Sequence, residues 1–500
     1  MKIAQIIRPP TLTKSKIQVS DDRRMKNILI VTENFTVGGL ETYLSGEIRQ
    51  LTEDGWKVHL AVGKQFEDAL IPDGIASITR DLDFEPSQSI ESLWETVHSL
   101  RELIRTNKID LVHAHPFISI FAAFIAAEFE RTGFVLTLHG PTSIASYSPL
   151  HDLLLKQVIL PNTPLILAVS EEVAQLVEPY TNPDTVKILP NSIDLSVFSQ
   201  VVAHDVADPR WLIVSRLDEF KIVGIYEFIT IAKSLNLPGI VIIGDGSART
   251  ALMEKLATNG LADFVEFLGT KTDVHSYMGR FAGVAGMGRV ALEGLASKKP
   301  VILVGYDGVK GFIKPSNFYQ AMRTNFSGRS LENVTEEYFS GSEKVSEYGS
   351  QLAVELRSLI EQECDGRVLW LRFEELTYDL PPPNRTILYD IFTGYSNMSS
   401  LKKDIFLESE RLSRIIRSTI DGEKYSYSTD LPPQSHHSVH IDILREELKE
   451  KNLMLQQSEM FRFHESNRAD NLERELASIH SSRGWKIATY LHKMRGIFQG

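Results

Sequence analysis

Five hundred residues exceed what one hydrophobic core supports, so two domains with an appendage are expected. A net charge of −12 argues against broad nucleic-acid binding, and 43% hydrophobic with 24% charged residues is the balance of a water-soluble globular protein. Cys364 is the only cysteine, which excludes an intramolecular disulfide and a thiolate metal cage.

Residues 1–26 are polar, show no period and read as an extension; MKIAQIIRPPTLTKSK lacks the apolar core of a signal peptide. The longest apolar run, residues 117–127, stops at Glu128 and is too short to span a bilayer. The expected location is the cytoplasm, with any membrane contact peripheral.

From Asn27 the runs NILIVTE, WKVHLAVG, IDLVHAH, FVLTLHG, LILAVSEE and TVKILPN read as strands. Amphipathic stretches such as LETYLSGEIRQLTEDG and SLWETVHSLRELIRTNK separate them, which predicts a doubly wound α/β domain over residues 27–195. SVFSQVVAHDVADPR, residues 196–210, reads as a linker. The series restarts with WLIVSRL, GIVIIGDG, FVEFLGT, FAGVAGM and PVILVGY, predicting a second Rossmann-like domain over 205–362. SEKVSEYGSQLAVELRSLIEQE is its closing helix, and PPPNRT at 381–386 marks a break. Two such sheets in tandem predict a cleft, with ligands at the C-terminal ends of strands. Residues 331–435 carry no readable motif, and 363–435 form an unassigned segment after the second domain.

Residues 437–480 hold a heptad register. Ile441, Leu448, Leu455, Ala469 and Leu476 occupy one core position and Leu444, Leu472 and Ile479 the other; Lys451, Ser458, Arg462 and Glu465 interrupt it. A coiled coil, for self-association or a partner, and a single exposed helix both fit. In the tail, 481–500, Ile487, Tyr490, Leu491, Met494, Ile497 and Phe498 share an arc, beside Arg483, Lys486, Lys493 and Arg495. This basic amphipathic helix suits an anionic membrane surface, or packing against protein.

The chemistry-bearing residues follow the strands. Gly38 and Gly39 precede a helix, where backbone can approach a phosphate or sugar; the pattern is not G-x-G-x-x-G, which disfavours NAD. His113, His115 and His139 end apparent strands and read as capped loop histidines or ligand contacts; nothing in their spacing requires a metal. Arg216 and Lys221 follow WLIVS, where fixed cations can stabilise charge growing on a leaving diphosphate; two solvated cations beside Asp218 and Glu219 are the plainer reading. Gly244 and Gly246 flank a tight turn in GDGSA, and Gly286, Gly288 and Arg289 open a helix that carries Glu293, an arrangement suited to an anion. DLD at 81–83 falls before FEPS and reads as a loop, not a metal motif.

VSRLDEFK at 214–221, taken with GMGRVALE at 286–293, resembles the C-terminal half of retaining GT-B glycosyltransferases, specifically glycosyltransferase family 4, over roughly residues 27–330. The resemblance implies two Rossmann-like domains, with the donor mostly in the second and the acceptor mostly in the first. It implies retaining transfer from a nucleotide sugar to a glycan or lipid-linked acceptor by a front-face route, with no cofactor and no metal required. His139, Arg216 and Lys221 take the catalytic places. Gly38, Gly39, Gly244, Gly246, Gly288, Arg289 and Glu293 take donor places; Glu41 and His115 take acceptor places. The family's E-x7-E is broken at its first position, which is Ala285, and the glycine expected directly after Lys221 is displaced to Gly224. A degenerate module organising a glycan-assembly complex is the alternative. The S-x-x-W-K ending after the heptads resembles glycosyltransferases of bacterial surface-polysaccharide assembly.

Overall fold

Short runs of branched apolar residues that alternate with helices form parallel strands buried on both faces, and here they do so twice. The computed structural model describes residues 26–85, 88–144, 149–199, 208–340 and 350–397. The predicted heptads, the basic tail and nearly all of the N-terminal extension lie outside these residues.

The first sheet contains β1 (Asn27–Phe35), β2 (Lys57–Phe66), β3 (Ser77–Leu82), β4 (Leu111–Ala114), β5 (Gly133–Leu138), β6 (Leu165–Ala168) and β7 (Val186–Ile188). Its spatial order is β3-β2-β1-β4-β5-β6-β7, all parallel. The second contains β8 (Asp208–Val214), β9 (Ile240–Ile243), β10 (Val265–Gly269), β11 (Phe281–Gly286), β12 (Val301–Val304) and β13 (Val309–Phe312). Its order is β10-β9-β8-β11-β12-β13, with only the last pair antiparallel. Strand order therefore reverses between β1 and β4, and again between β8 and β11. Loops leaving the C-terminal ends of strands diverge at these points and open a crevice.

Every strand read from the sequence is present. The two that were missed, β3 and β13, are sheet edges, and SITRDL and VKGF lack the apolar run that marks a central strand. The DLD segment ends β3, with Asp81 and Leu82 in the strand, and is not a loop. The Asp83 carboxylate accepts hydrogen bonds from the Ser92 hydroxyl and the Glu85 amide. The apolar run after residue 117 is helix Ser119–Glu130, with ten of its twelve residues buried. Among the described residues, no helix is long and apolar enough to cross a membrane.

The domain boundaries differ from expectation at both crossings. Ile193, Leu195 and Phe198 pack into the second domain's core with Leu292, Leu356 and Ile360, so the first part of the expected linker is core. Asp208, Pro209 and Arg210 already belong to β8. At the second crossing, helix Ser350–Glu363 closes the second domain, as predicted from its apolar period. The chain then pairs with its earlier passage: Ile193 N–H donates to Cys364 O at 2.8 Å and Gly366 N–H to Ile193 O at 2.9 Å. It returns to the first domain, so residues 366–397 are not a separate segment. Helix Gly366–Thr377 places Leu369, Trp370 and Phe373 in the first domain's core. The PPPNRT break ends in Thr386, whose hydroxyl caps helix Ile387–Ser396 and also donates to Glu128.

Trp370 packs at an angle against Tyr43 and Phe373, with ring centres 5.5 and 5.4 Å away, and is 2% exposed. Trp370→Ala should therefore cost about 3–5 kcal/mol of stability. The exposed neighbour change Leu371→Ala should stay within about 0.5 kcal/mol. Urea denaturation measures both, and equal losses would remove this helix from the first domain's core.

Candidate active site

On helix Gly39–Glu53 the buried side chains are Tyr43, Leu44, Glu47, Ile48 and Leu51, spaced as one stripe of an amphipathic helix. Glu47 thus brings a carboxylate to a core position, where a charge must be paired. His113 and His115, two apart along β4 and its exit, present their rings on the same side. His113 Nδ1 lies 2.6 Å from Glu47 Oε1, and His113 Nε2 lies 2.7 Å from Thr137 Oγ1. His115 Nε2 faces Glu47 Oε2 at 3.4 Å without completing a hydrogen bond, and neither atom has another partner. His115 Nδ1 lies 2.9 Å from Nε2 of His139 at the end of β5.

Burial alone would raise the Glu47 pKa. The His113 ring, its hydrogen bond and the contact with His115 outweigh burial and hold the carboxyl at about 2. Burial, then the neighbouring His113, pushes His115 down to about 4. Burial and the two other histidines push His139 well below the ordinary histidine value. The Glu47, His113 and His115 ligand atoms all lie within 4.8 Å of one another and so could hold a metal. The 2.6 Å spacing, however, is that of a charge-assisted hydrogen bond with the proton in place.

Across the cleft, the β8 exit loop carries Arg216 and Lys221. The Arg216 Nε donates to Asp218 Oδ2 at 2.7 Å, and Lys221 Nζ stands 3.7 Å from the same oxygen. Arg216 keeps its side chain 67% exposed while that of Lys221 is 17% exposed, so only the lysine is held by its surroundings. Burial, then the Arg216 charge, lowers the Lys221 pKa, with Asp218 opposing. The GDG turn supports this loop by close approach. A Cβ on Gly244 (φ +134°) would meet Ser215 O at 1.9 Å, and one on Gly246 (φ +159°) would meet Leu217 O at 2.5 Å. Leu217 N–H donates to Asp245 O at 2.9 Å, which closes the two loops on each other around Arg216. Gly224 has a comparable duty, since a Cβ there would meet Gly305 O at 2.1 Å. The glycine displaced from the position after Lys221 is thus needed where the helix crosses the β12–β13 turn.

The β11 exit departs from expectation. Gly288 (φ +60°) turns the chain, but its N–H donates to Phe326 O at 2.7 Å and is not free for an anion. The Arg289 guanidinium is also occupied, by Glu293 Oε1 at 2.9 Å and Ser192 O at 3.1 Å. Two of the groups expected to meet an anion here, the Gly288 amide and the Arg289 guanidinium, are thus already engaged, and the Arg289–Glu293 ion pair reaches the first domain. Glu293 is 8% exposed, and burial raises its pKa against the pull of Arg289. Ala285 is fully buried in β11, between Ile213 of β8 and Ile302 of β12.

The two halves meet through charge. Glu41, in the first turn after Gly38 and Gly39, feels the Arg216 charge from across the cleft; burial raises its pKa and Arg216 opposes. Arg329 Nε donates to Glu172 at 2.6 Å, Arg323 Nη2 to Glu171 at 2.9 Å, and Asn191 Nδ2 to Asn325 Oδ1 at 2.9 Å. Of the residues named from sequence, Gly38, Gly39, Glu41 and His139 lie at the first reversal point or on the next strand end. Arg216, Lys221, Gly244, Gly246, Gly288, Arg289 and Glu293 lie around the second. His115 is fully buried between Glu47 and His139, so it has no surface with which to touch an acceptor.

Sequence reasoning missed Tyr43, Glu47 and Glu33. The signal for Glu47 was a carboxylate on the apolar stripe of a helix. Glu33, at the end of β1, accepts from Ile118 N–H at 2.6 Å; burial, with Glu85 adding, pushes it up to about 7.

Residues 37–197 match the model of Glycosyltransferase Family 4. No curated protein matches the chain. Among solved structures, Anabaena HepE in complex with UDP aligns with a TM-score of 0.54 at 18% identity, over 70% of this chain and 99% of its own. Sucrose-phosphate synthase from Thermosynechococcus elongatus aligns at 0.52 and 17%, over 70% and 98%. A variant of S. aureus TarM in complex with fondaparinux, alpha-GlcNAc-glycerol and UDP aligns at 0.52 and 10%, over 71% and 100%. Identities this low speak for the fold alone, and that fold is GT-B. The family 4 match thus covers the first domain, residues 37–197, and the two-domain fold of the chain is GT-B.

Proposed function

We propose that the chain transfers a sugar, with retention, from a nucleotide-sugar donor to a hydroxyl of a glycan or lipid-linked acceptor in surface-polysaccharide synthesis. One observation carries the reading: a cation loop at the β8 end, braced by Gly244 and Gly246, stands near enough to Glu41 of the first domain for the Arg216 charge to act on it. Expulsion of a nucleoside diphosphate builds negative charge on the leaving oxygen. Arg216 and Lys221 would meet that charge as preorganised donors, stabilising the transition state more than the ground state, with no metal in the step. Asp218, between them, keeps the two cations from repelling each other apart. Glu293 would accept from ribose hydroxyls while Arg289 holds its carboxylate. His139 would lie beside the transferred sugar and the acceptor. In a front-face route the departing diphosphate itself takes the acceptor proton, so a glycosidase-type carboxylate pair is not needed. HepE has been solved with UDP and with UDP-glucose, which makes UDP-sugars the first donors to test.

A second reading rests on position 285. With the glutamate expected at this position replaced by a buried alanine, a catalytically silent module that binds no nucleotide and organises partners also fits the fold. Thermal shift with UDP, GDP and their sugars separates the readings. A bound nucleotide at a hundred times its Kd raises stability by about 2.7 kcal/mol, and a silent scaffold gives no shift with any of them.

Arg216→Ala or Lys221→Ala should leave the fold intact and lower kcat roughly 10²–10³-fold, about 2.7–4 kcal/mol. Rates within about threefold of wild type, under ~1 kcal/mol, would sink the diphosphate assignment.

Glu293→Gln should weaken nucleotide affinity, read by calorimetry; a loss confined to the chemical step would contradict the ribose role. Ala285→Glu should lower stability, because the carboxylate would enter the core beside Ile213 and Ile302, and it should not raise the rate. A large gain in rate would instead favour the degenerate-site reading.

A further inference from the structure

Glu47, His113 and His115 are each fully buried, and the transfer step uses none of them. A buried polar cluster of this kind is stable only if every proton has an acceptor. The geometry fixes where the protons are. An ionised carboxylate only accepts. His113 therefore donates from Nδ1 to Glu47 Oε1 at 2.6 Å, and the nitrogen facing Oε2 at 3.4 Å, His115 Nε2, carries its proton. His115 is neutral, as its depressed pKa requires, so its single ring proton is accounted for and Nδ1 is a bare acceptor. The 2.9 Å contact between His115 Nδ1 and His139 Nε2 then needs its proton on His139. The His139 ring, held edge-on by Tyr43 with centres 4.7 Å apart, is half-buried, and its Nδ1 makes no hydrogen bond among the described residues.

We propose that Glu47 and His115 are positioning residues that fix the His139 ring proton on Nε2, so that Nδ1 presents a lone pair to a substrate hydroxyl in the cleft. The proton placement is a property of the free protein. The role of Nδ1 toward a hydroxyl of donor or acceptor rests on the transfer reading above. His115 thereby serves the site from behind His139 without touching substrate. Glu47 is kept charged by its surroundings: Oε1 accepts from His113, and Oε2 has the His115 ring nitrogen facing it at 3.4 Å.

Glu47→Gln provides the sharpest change. The amide keeps the shape but replaces one acceptor oxygen by a donor NH2. If the amide nitrogen faces His115, then His115 Nε2 must become the acceptor, its proton moves to Nδ1, and His139 is forced to carry its own proton on Nδ1. In serine proteases the isosteric aspartate-to-asparagine change that reverses a histidine tautomer lowers kcat about 10⁴-fold with geometry intact. A hydrogen-bonding role without proton abstraction should lose less, about 10–100-fold in kcat, with nucleotide affinity unchanged.

The experiment uses the full chain labelled with 15N-histidine, with His139 resonances assigned by their loss in His139→Gln. Ring nitrogen shifts in the wild type should show a protonated Nε2 and a bare Nδ1, reversed or averaged in Glu47→Gln. His115→Phe, which removes the acceptor altogether, should average the His139 tautomers and serves as the second variant if Glu47→Gln does not fold. A wild-type proton on Nδ1, an unchanged tautomer in both variants, or a stoichiometric metal in the purified protein by mass spectrometry would overturn the proposal. The expected tautomer with kcat unchanged in Glu47→Gln would overturn the role given to Nδ1. The expected tautomer in a wild type that transfers no sugar would sink the transfer reading while confirming the proton placement.

Discussion

A carboxylate enclosed away from water has to be answered by hydrogen bonds, and much of the first domain is arranged to answer Glu47. Its helix supplies it on the same stripe that buries Leu44, Ile48 and Leu51. The sheet replies from the next strand across the reversal point, with His113 and His115. Phe373, brought back by the returning helix, stacks on His113 with centres 5.1 Å apart, and Trp370 closes over Tyr43. The price of leaving such a charge unpaired would be several kcal/mol. Helix, sheet and returning helix are therefore tied to one another through a single side chain, and His139 stands at the edge of what that side chain organises.

In the second domain the corresponding constraint is steric. Ser215 and Leu217, which flank Arg216, are each in contact with a glycine of the neighbouring loop where no Cβ fits. The position of the cation is set by backbone against backbone, which varies less than a side-chain contact could. On the far side of the reversal, Arg289 joins Glu293 to the first domain through Ser192 O, so the one glutamate of this helix start has a resident cation. Gly288 before it turns the chain toward Phe326, to whose carbonyl its amide donates.

Much of this could be seen in the chain itself. Central strands were legible because burial on both faces demands uninterrupted branched residues, as in NILIV and WLIVS. Two of the four edge strands, SITRDL and VKGF, were not, since pairing on one side leaves composition free. Arg216, Lys221, Glu293 and His139 were legible from their places after strands. The relation of His115 to its neighbours was not, because a histidine at a strand end has the same letter whether it faces a ligand or a carboxylate. Residues 366–397 were illegible for another reason: an amphipathic helix shows that it has a partner but not which of two sheets the partner is. The decisive cue, the pairing of Ile193 with Cys364 and Gly366, joins residues more than 170 positions apart and exists only in three dimensions.

That pairing makes the second domain an insertion in the first. The helix bearing Trp370 is synthesised after the whole of the second domain, yet it completes the core built on β1 and β2. While the ribosome is still making residues 208–340, the first sheet has its strands but lacks part of its cover, and Tyr43 and His113 are open on the side that Trp370 and Phe373 will take. The order of completion is therefore inverted relative to the order of synthesis: the second domain can finish first, and the histidine cluster is sealed last. A chain cut short between Arg329 and Gly366 retains every cleft-facing residue named above and still lacks the piece that shuts water out behind His139.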